Sequence, residues 1–300
     1  MLNENPALML KYKADLRTVL YLLVTAGMFA WLWTQGFNWP LYIGFLFLSV
    51  AVAVIAHNHN HLPIWKNSFL NTLTDYWITV FYGFPVFAWI PTHNHNHHKY
   101  TNKPGDYTVT YRYTAANNLI TLLTYPTISG LHQQKPIRQY LRKLYAEDRK
   151  QFWYCISQYL VVGVWVLAFL LLDWQKALLY VVIPQQVSLF SVLVFNYVQH
   201  VHADHESPFN HSRNITGWVL NTFLFNNGYH TVHHLRPGTH WSRTPELHKQ
   251  YADRIDPRLN EPSFWWFIIR AYILGLVVPS LRTRNLNPEA VAQARVAGLA

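Results

Sequence analysis

The 300-residue sequence has little charge, few acidic residues and almost no cysteine. Charged residues make up 13% of the chain, against about a quarter in soluble globular proteins, which excludes an ordinary soluble domain and a charged coiled coil. The single cysteine, Cys155, excludes a disulfide framework, a cysteine-ligated iron–sulfur cluster and a cysteine-rich zinc site, because each needs several sulfur atoms. Any bound metal must therefore be held by nitrogen or oxygen.

Basic residues and histidines are plentiful by comparison. Lysine and arginine (24) outnumber aspartate and glutamate (14), which gives a formal net charge of +10. That excess suits an anionic membrane surface or an acidic partner as well as it suits nucleic acid, so charge alone does not choose among them. The 17 histidines exceed the 14 carboxylates, and their placement is the most informative feature of the composition.

Long uncharged stretches predict helices that cross a membrane. Residues 18–65 contain no charged side chain, and a second uncharged pair of stretches is separated only by Asp173 to Lys176. About 20 apolar residues cross a bilayer, so each region is long enough for two spans joined by a tight turn. We predict four transmembrane helices in two hairpins, at about 18–33, 38–57, 152–172 and 177–199.

The distribution of basic residues predicts the orientation of these helices. The two turns between paired spans hold one lysine, whereas the segments that flank the hairpins hold many lysines and arginines, which places the flanking segments and the amino terminus in the cytosol. We predict an all-α integral membrane protein with a single domain, 1–300, whose histidine-rich helical cap at 58–151 and 200–262 is cytosolic. Residues 263–281 are expected to form an interfacial helix, and the last dozen residues a loose tail.

Four histidine clusters lie at the predicted cytosolic ends of spans or in cytosolic segments, where they can converge. Residues i and i+4 share a helix face, so we expect His57 with His61, and His93 with His97, each to clamp one ion. His98 is expected to face a second ion. The clusters are 57–61, 93–98, 196–200 and 230–234, and in the last of these His230 and His233 repeat the spacing with His234 adjacent.

A nitrogen-rich site for two metal ions beside an apolar tunnel is suited to activating dioxygen. The Glu-x-x-His pairs of carboxylate-bridged diiron proteins and the His-Glu-x-x-His signature of zinc proteases do not occur in the sequence. Nitrogen donors alone do not name the metal, because the usual affinity order favours copper or zinc over iron(II).

The remaining histidines are interpreted as structural. His59 and His95 lie two residues from their neighbours and point off the shared face, and isolated histidines are more often surface or interface residues than ligands. We exclude from the ligand set His59, His95, His132, His202, His205, His211, His240 and His248.

Three of these clusters resemble the histidine boxes of the integral-membrane fatty acid desaturase and hydroxylase superfamily, with two spans between the second and third boxes. The resemblance covers roughly residues 18–280, and the stretches 97–102 and 226–234 are also similar to the family's sequences around boxes two and three. It further implies His200 as a ligand and Asn196 as a water-mediated contact. The matching residues are His57 and His61, then His93, His97 and His98, then His230, His233 and His234.

The resemblance implies a non-haem diiron enzyme that binds two Fe²⁺ ions, uses O₂ as co-substrate and oxidises an unactivated C–H bond of a fatty acyl chain. We expect acyl-lipid or fatty acid desaturation; a hydroxylase or an oxidative decarboxylase that forms a 1-alkene is the alternative within the superfamily. A membrane metal transporter or metal-binding protein is the alternative from another class, and it is less favoured because the predicted spans carry no charge and their histidines lie at the ends.

The resemblance also sets expectations for partners and location. The sequence contains no cytochrome b5-like haem motif, so electrons are expected from an external donor of the ferredoxin, rubredoxin or cytochrome b5 type. Membrane lipid is expected as a partner and nucleic acid is not, and a bacterial inner membrane is favoured over the endoplasmic reticulum. Box one departs from the family, which usually has an acid where this chain has Asn58. The acids available to orient the His57 imidazole instead are Asp75, Asp106, Asp204 and Glu206.

Overall fold

The computed structural model describes residues 9–296 and 298, and this part of the chain is mostly helical. Two short strands, β1 (Asn214–Ile215) and β2 (Asn260–Glu261), pair in parallel. Three segments are π-helical: Ile90–His97, Leu178–Val182 and Ile269–Ile273. The α-helices are α1 (Asp15–Gln35), α2 (Trp39–His61), α3 (Ser68–Tyr82), α4 (His98–Tyr100), α5 (Leu119–Glu147), α6 (Arg149–Leu172), α7 (Trp174–Ala177), α8 (Ile183–His200), α9 (Trp218–Phe223), α10 (His230–Leu235), α11 (Thr244–Tyr251), α12 (Phe264–Ile268) and α13 (Pro288–Val296).

Four helices within the described residues are long and apolar enough to cross a membrane. They are α1, α2, α6 and the continuous helix Trp174–His200, which comprises α7, the π-helical turn after it and α8. Their limits extend a few residues beyond most of the predicted spans. Two of them begin three residues early because acidic side chains cap their amino ends: Asp148 accepts a hydrogen bond from Gln151 N–H and Asp173 from Lys176 N–H. The prediction of an all-α membrane protein is confirmed. The hairpins, the cytosolic cap and the single domain stay predictions.

The chain divides into two compact units, and the first contains the described residues of Met1–Phe87 and Leu144–Leu189. Its core is aromatic: the rings of Phe29 and Phe169 meet edge to face with centroids 5.0 Å apart, and Phe45 is buried beside them. Large apolar side chains such as Leu167 (57% exposed) face outward from the helices. A helix that is apolar on its exposed side as well as its buried side is typical of a membrane span.

Buried polar side chains join the helices of the first unit. The Ser188 hydroxyl donates to the Ser49 carbonyl (2.8 Å), and the Gln185 amide donates to the Val80 carbonyl (2.7 Å). Each carbonyl belongs to a helix other than the donor's, so these bonds fix how neighbouring helices pack. Unpaired, the same polar groups would be costly inside an apolar bundle.

The second unit contains the described residues of Ala88–Lys143 and Phe190–Ala300. Its two strands run in parallel, so α9 and α12, which follow them, begin at the same end of the ladder. Gly217 packs so closely there that an added methyl group would overlap the Pro262 carbonyl oxygen. The segment predicted as an interfacial helix includes the apolar helix Phe264–Leu276, with Trp265 exposed; its place at a membrane surface stays a prediction.

The carboxyl-terminal segment contains an ordered helix. In α13, Val291 and Ala294 are buried against Val109 and Tyr111. The expectation of a loose tail is therefore wrong for residues 289–296, since two apolar residues three apart on this short helix pack against the loop that follows box two. Residues 297, 299 and 300, which the same expectation covered, lie outside the described residues.

Candidate metal centre

Four histidines of the second unit bring their ring nitrogens together; they are His97, His200, His230 and His234, called here the four-histidine group. Each offers one nitrogen, and these atoms lie within 4.8 Å of one another. The Nε2 atom of His200 lies 3.0 Å from that of His97 and 2.9 Å from that of His230, and the Nε2 atoms of His230 and His234 are 3.1 Å apart. Three separate elements supply the rings: the π-helical segment, the end of α8 and α10.

Three further histidines of the second unit form another cluster; they are His93, His98 and His233, called here the three-histidine group. The Nε2 atom of His98 lies 3.0 Å from that of His93 and 2.9 Å from that of His233. The Nε2 atoms of His93 and His233 are 3.5 Å apart. Boxes two and three therefore each contribute to both groups.

The π-helical geometry of Ile90–His97 explains this division and corrects the expected pairing of box two. His93 was expected to share an ion with His97, but it is grouped with His98, five residues away. In a π-helix the backbone hydrogen bond joins residues five apart, so the turn is wider and residues i and i+5 lie on similar sides. In box three the pairing also differs, because His230 meets His234 at i+4 on the α-helix α10 rather than His233.

The histidines of box one lie at the carboxyl end of α2 in the first unit. The rings of His57 and His61 face each other with centroids 5.0 Å apart, as expected of residues four apart on one helix face. His57 is buried, and its Nδ1 lies 3.2 Å from the amide oxygen of Asn58. Asn58 therefore occupies the orienting position in which the family usually has an acid.

The tautomers of two rings test whether the four-histidine group fits a metal. His200 Nδ1 faces the carbonyl oxygen of His211 (3.1 Å), which can only accept, and His97 Nδ1 faces the Asp106 carboxylate (2.8 Å). Both rings therefore carry their proton on Nδ1. Each Nε2 atom has a lone pair, and the two Nε2 atoms face each other at 3.0 Å. Two lone pairs cannot form a hydrogen bond with each other, whereas a cation between them satisfies both. The donor set therefore fits a metal ion.

Electrostatics favour protonation states of His234 and Asp106 that suit metal binding at the four-histidine group. Burial, reinforced by neighbouring histidines, lowers the pKa of His234 well below 6.5, so the ring is neutral and its nitrogen is available at neutral pH. Burial alone would raise the pKa of Asp106. The neighbouring His97 ring, and hydrogen bonds from His97 and Thr108, outweigh it and hold this pKa below its usual range, so the carboxylate stays ionised.

The comparisons with known proteins name the family. The family model described as Fatty acid desaturase matches residues 31–267, which include all three histidine boxes. The chain belongs to the fatty acid desaturase family. No match was found among curated proteins or among solved structures. The family implies iron, and the histidine groups of this chain are compatible with metal binding.

Several histidines that the sequence interpretation excluded as ligands have other contacts in the structure. His59 Nδ1 accepts a hydrogen bond from Ile64 N–H (3.2 Å), so its Nε2 carries the proton that faces Asp75 at 3.3 Å. His202 Nε2 donates to the Ala115 carbonyl (2.9 Å), and the His205 ring stacks on Tyr111. The contacts of these three side chains are thus away from the two histidine groups.

His211 and Asp106 are functional neighbours that the sequence interpretation missed. His211 was classed as a surface or interface residue, yet it is buried, its carbonyl orients His200 and its ring lies 5.3 Å from that of His234. Asp106 was considered only as one of four acids that could orient the box-one imidazole, and it instead faces His97 of box two. A signal for it was present, because the Pro104-Gly105 turn returns the chain towards box two nine residues after His97.

Proposed function

We propose that the chain is an O₂-dependent, non-haem diiron enzyme that introduces a double bond into a fatty acyl chain. The observation that carries the proposal is the opposed pair of Nε2 lone pairs on His97 and His200, in a member of the fatty acid desaturase family. Two iron ions bound here would supply the reduction of O₂ by two external electrons, coupled to oxidation of an unactivated C–H bond.

The proposed ligands follow the two groups. One ion is assigned to the four-histidine group, with Asn196 as a water-mediated contact. The other is assigned to the three-histidine group together with His57 and His61, an assignment that rests on the box-one sequence. These neutral imidazoles would supply nitrogen donors without offsetting the positive charge of the ions.

The chain's own residues contribute binding and orientation. Asp106 holds the Nδ1 proton of His97, and the His211 carbonyl holds that of His200, so both rings keep Nε2 available. These supports are buried and make several hydrogen bonds, and they limit how far the rings can rotate. A fixed donor set of this kind requires little reorganisation when an ion binds.

We prefer desaturation to the other reactions of the superfamily. The metal ligands do not distinguish among these reactions. Hydroxylation and oxidative decarboxylation to a 1-alkene use the same kind of metal site, so the outcome depends on which carbon is held beside it. A metal transporter is less well supported, because transport sites lie at mid-span depth, whereas these histidines lie at helix ends or outside the spans.

The proposed setting is a multi-pass protein of a bacterial inner membrane with its histidine boxes on the cytosolic side. Electrons would come from an external donor of the ferredoxin, rubredoxin or cytochrome b5 type. The net charge of +10 suits both an acidic donor and anionic lipid headgroups.

Expression in a desaturase-deficient host tests the reaction. Mass spectrometry of total lipids and of headspace hydrocarbons separates internal double bonds, hydroxy acids and volatile 1-alkenes. We expect new double bonds and about two iron atoms per chain, with His233→Ala losing both iron and product. The matched control is His95→Ala, which removes a ring that lies against Tyr140 and should keep both. Stoichiometric iron without any oxidised lipid would refute the enzyme proposal.

A further inference from the structure

A buried tyrosine hydroxyl connects Asn196 to the loop that supports His97. Tyr125 lies on α5 and is 5% exposed. Its hydroxyl lies 2.6 Å from the Thr108 carbonyl oxygen and 2.6 Å from the side-chain amide nitrogen of Asn196. All of these residues belong to the second unit.

The direction of each hydrogen bond follows from the chemistry of the groups. Burial raises the pKa of Tyr125, so the hydroxyl keeps its proton at any physiological pH. The Thr108 carbonyl can only accept, and it therefore receives the Tyr125 O–H. The hydroxyl oxygen then accepts from Asn196, which identifies the group facing Tyr125 as the amide NH₂ rather than the amide oxygen. The Ser129 hydroxyl, one helical turn beyond Tyr125, also interacts with this oxygen.

Fixing the NH₂ group also fixes the amide oxygen. Asn196 lies four residues before His200 on α8, so the two side chains share a helix face. With its nitrogen bound to Tyr125, the amide presents its oxygen as the remaining polar atom. A water molecule bound to a cation directs its protons outward, so a neighbouring group that holds this water must accept.

The same tyrosine is tied to the support of His97. Thr108 donates both its N–H and its hydroxyl to one carboxylate oxygen of Asp106, each at 2.7 Å. The other carboxylate oxygen lies 2.8 Å from His97 Nδ1. Tyr125 is thus connected to the four-histidine group in two ways. One connection is through Asn196 on α8, and the other is through Thr108, which supports Asp106 and His97.

We propose that Tyr125 is a positioning residue that holds Asn196 with its amide oxygen directed towards a metal-bound water at the four-histidine group. This inference rests on the proposed function. Without the tyrosine hydroxyl the amide can rotate and present its NH₂ group to the water instead. We expect about a tenfold loss of metal affinity at this group, at the lower end of the effects seen for residues that orient metal ligands.

The test compares Tyr125→Phe with Tyr197→Phe in the full-length protein in detergent. Tyr197 is a matched control, because it is fully buried, its ring lies 4.8 Å from that of Tyr125 and its hydroxyl donates to Thr121 Oγ1 (2.8 Å). Cobalt(II) is the probe, read by titration and by its visible absorption spectrum. Tyr125→Phe should weaken one of two cobalt ions about tenfold and change its spectrum, whereas Tyr197→Phe should leave both unchanged.

Two further variants separate positioning from general packing. Adding Asn196→Asp to Tyr125→Phe should restore cobalt affinity, because both carboxylate oxygens accept and no orientation is needed. Asn196→Ala should reproduce the altered spectrum on its own, and adding Tyr125→Phe to it should change nothing more.

The outcomes distinguish this inference from the proposed function. Two cobalt ions in the unaltered chain, with Tyr125→Phe indistinguishable from Tyr197→Phe, would overturn the role of Tyr125 and leave the diiron proposal standing. Failure of the unaltered chain to bind cobalt or iron in stoichiometric amounts would overturn both.

Discussion

Replacing Asp106 by asparagine should weaken metal binding at the four-histidine group, because the carboxylate is an acceptor for four donors. These are the Nδ1–H of His97 (2.8 Å), the N–H of Asn102 (2.8 Å), and the N–H and hydroxyl of Thr108 (2.7 Å each). An amide has a single acceptor oxygen. If it serves Thr108, its NH₂ group faces the donors of His97 and Asn102.

His97 can relieve this conflict by changing tautomer. Its proton moves to Nε2, Nδ1 accepts from the new amide, and Nε2 then has no lone pair to offer a metal ion. Groups that orient metal ligands typically contribute 10–100-fold to affinity, or about 1.4–2.7 kcal/mol. The Asn102 N–H cannot adapt, and a buried donor left without an acceptor costs about 1–3 kcal/mol. We therefore expect a loss of about 10–100-fold in affinity and of about 1–3 kcal/mol in the free energy of unfolding.

Metal titration and denaturant unfolding of the purified chain measure the two effects, with Asp75→Asn as the matched control. Asp75 also faces a histidine, but His59 presents Nε2–H to it, and Tyr154 donates to its other oxygen (2.6 Å). An amide oxygen still accepts from His59 and its NH₂ can donate to Tyr154, so metal affinity should change less than about twofold. Equal affinity in the Asp106→Asn and unaltered chains would refute the tautomer argument.

Three other changes have defined outcomes. Gly228→Ala places a methyl group against the Ile215 carbonyl oxygen just before box three and should abolish binding of stoichiometric iron. Gly238 has open space around it, so Gly238→Ala should keep the iron. Iron analysis of the two purified variants measures the difference. Burial lowers the pKa of His248, so the unfolded chain takes up a proton that the folded chain does not. As the pH is lowered from 6.5, the free energy of unfolding should therefore decrease by up to about 1.4 kcal/mol per pH unit. The variant His248→Leu should make this dependence on pH less steep, and an unchanged slope would contradict the argument. Removal of iron by a chelator should destabilise the chain, because free iron at about 100 times its dissociation constant stabilises the folded state by about 2.7 kcal/mol. Thermal unfolding with and without chelator measures the effect, and equal midpoints would contradict the prediction.

The sequence predicted the membrane helices well because a bilayer imposes a length and a composition that are visible in the residues themselves. Residues 18–65 could be divided into spans by the absence of charge alone. The helix ends were less predictable, since they depend on capping side chains such as Asp148 and Asp173.

The histidine boxes were also visible in the sequence, but the division of their members was not. Spacing rules assume an α-helix, and Ile90–His97 is π-helical, so His93 is grouped with His98 rather than with His97. Supports such as Asp106 and the His211 carbonyl act through tertiary contacts, which carry no periodic signal. The ligand set as a whole stays a prediction.

The wide turn at Ile90–His97 makes chain length a stricter requirement than chain composition in that stretch. Deleting any one residue between His93 and His98 would tighten the helix towards α-helical spacing and rotate one ring out of the three-histidine group, whichever residue was lost. Exchanging the side chain of His95, which lies against Tyr140, leaves the register untouched. Engineered libraries directed at this stretch should therefore keep the number of residues constant and vary only their identity.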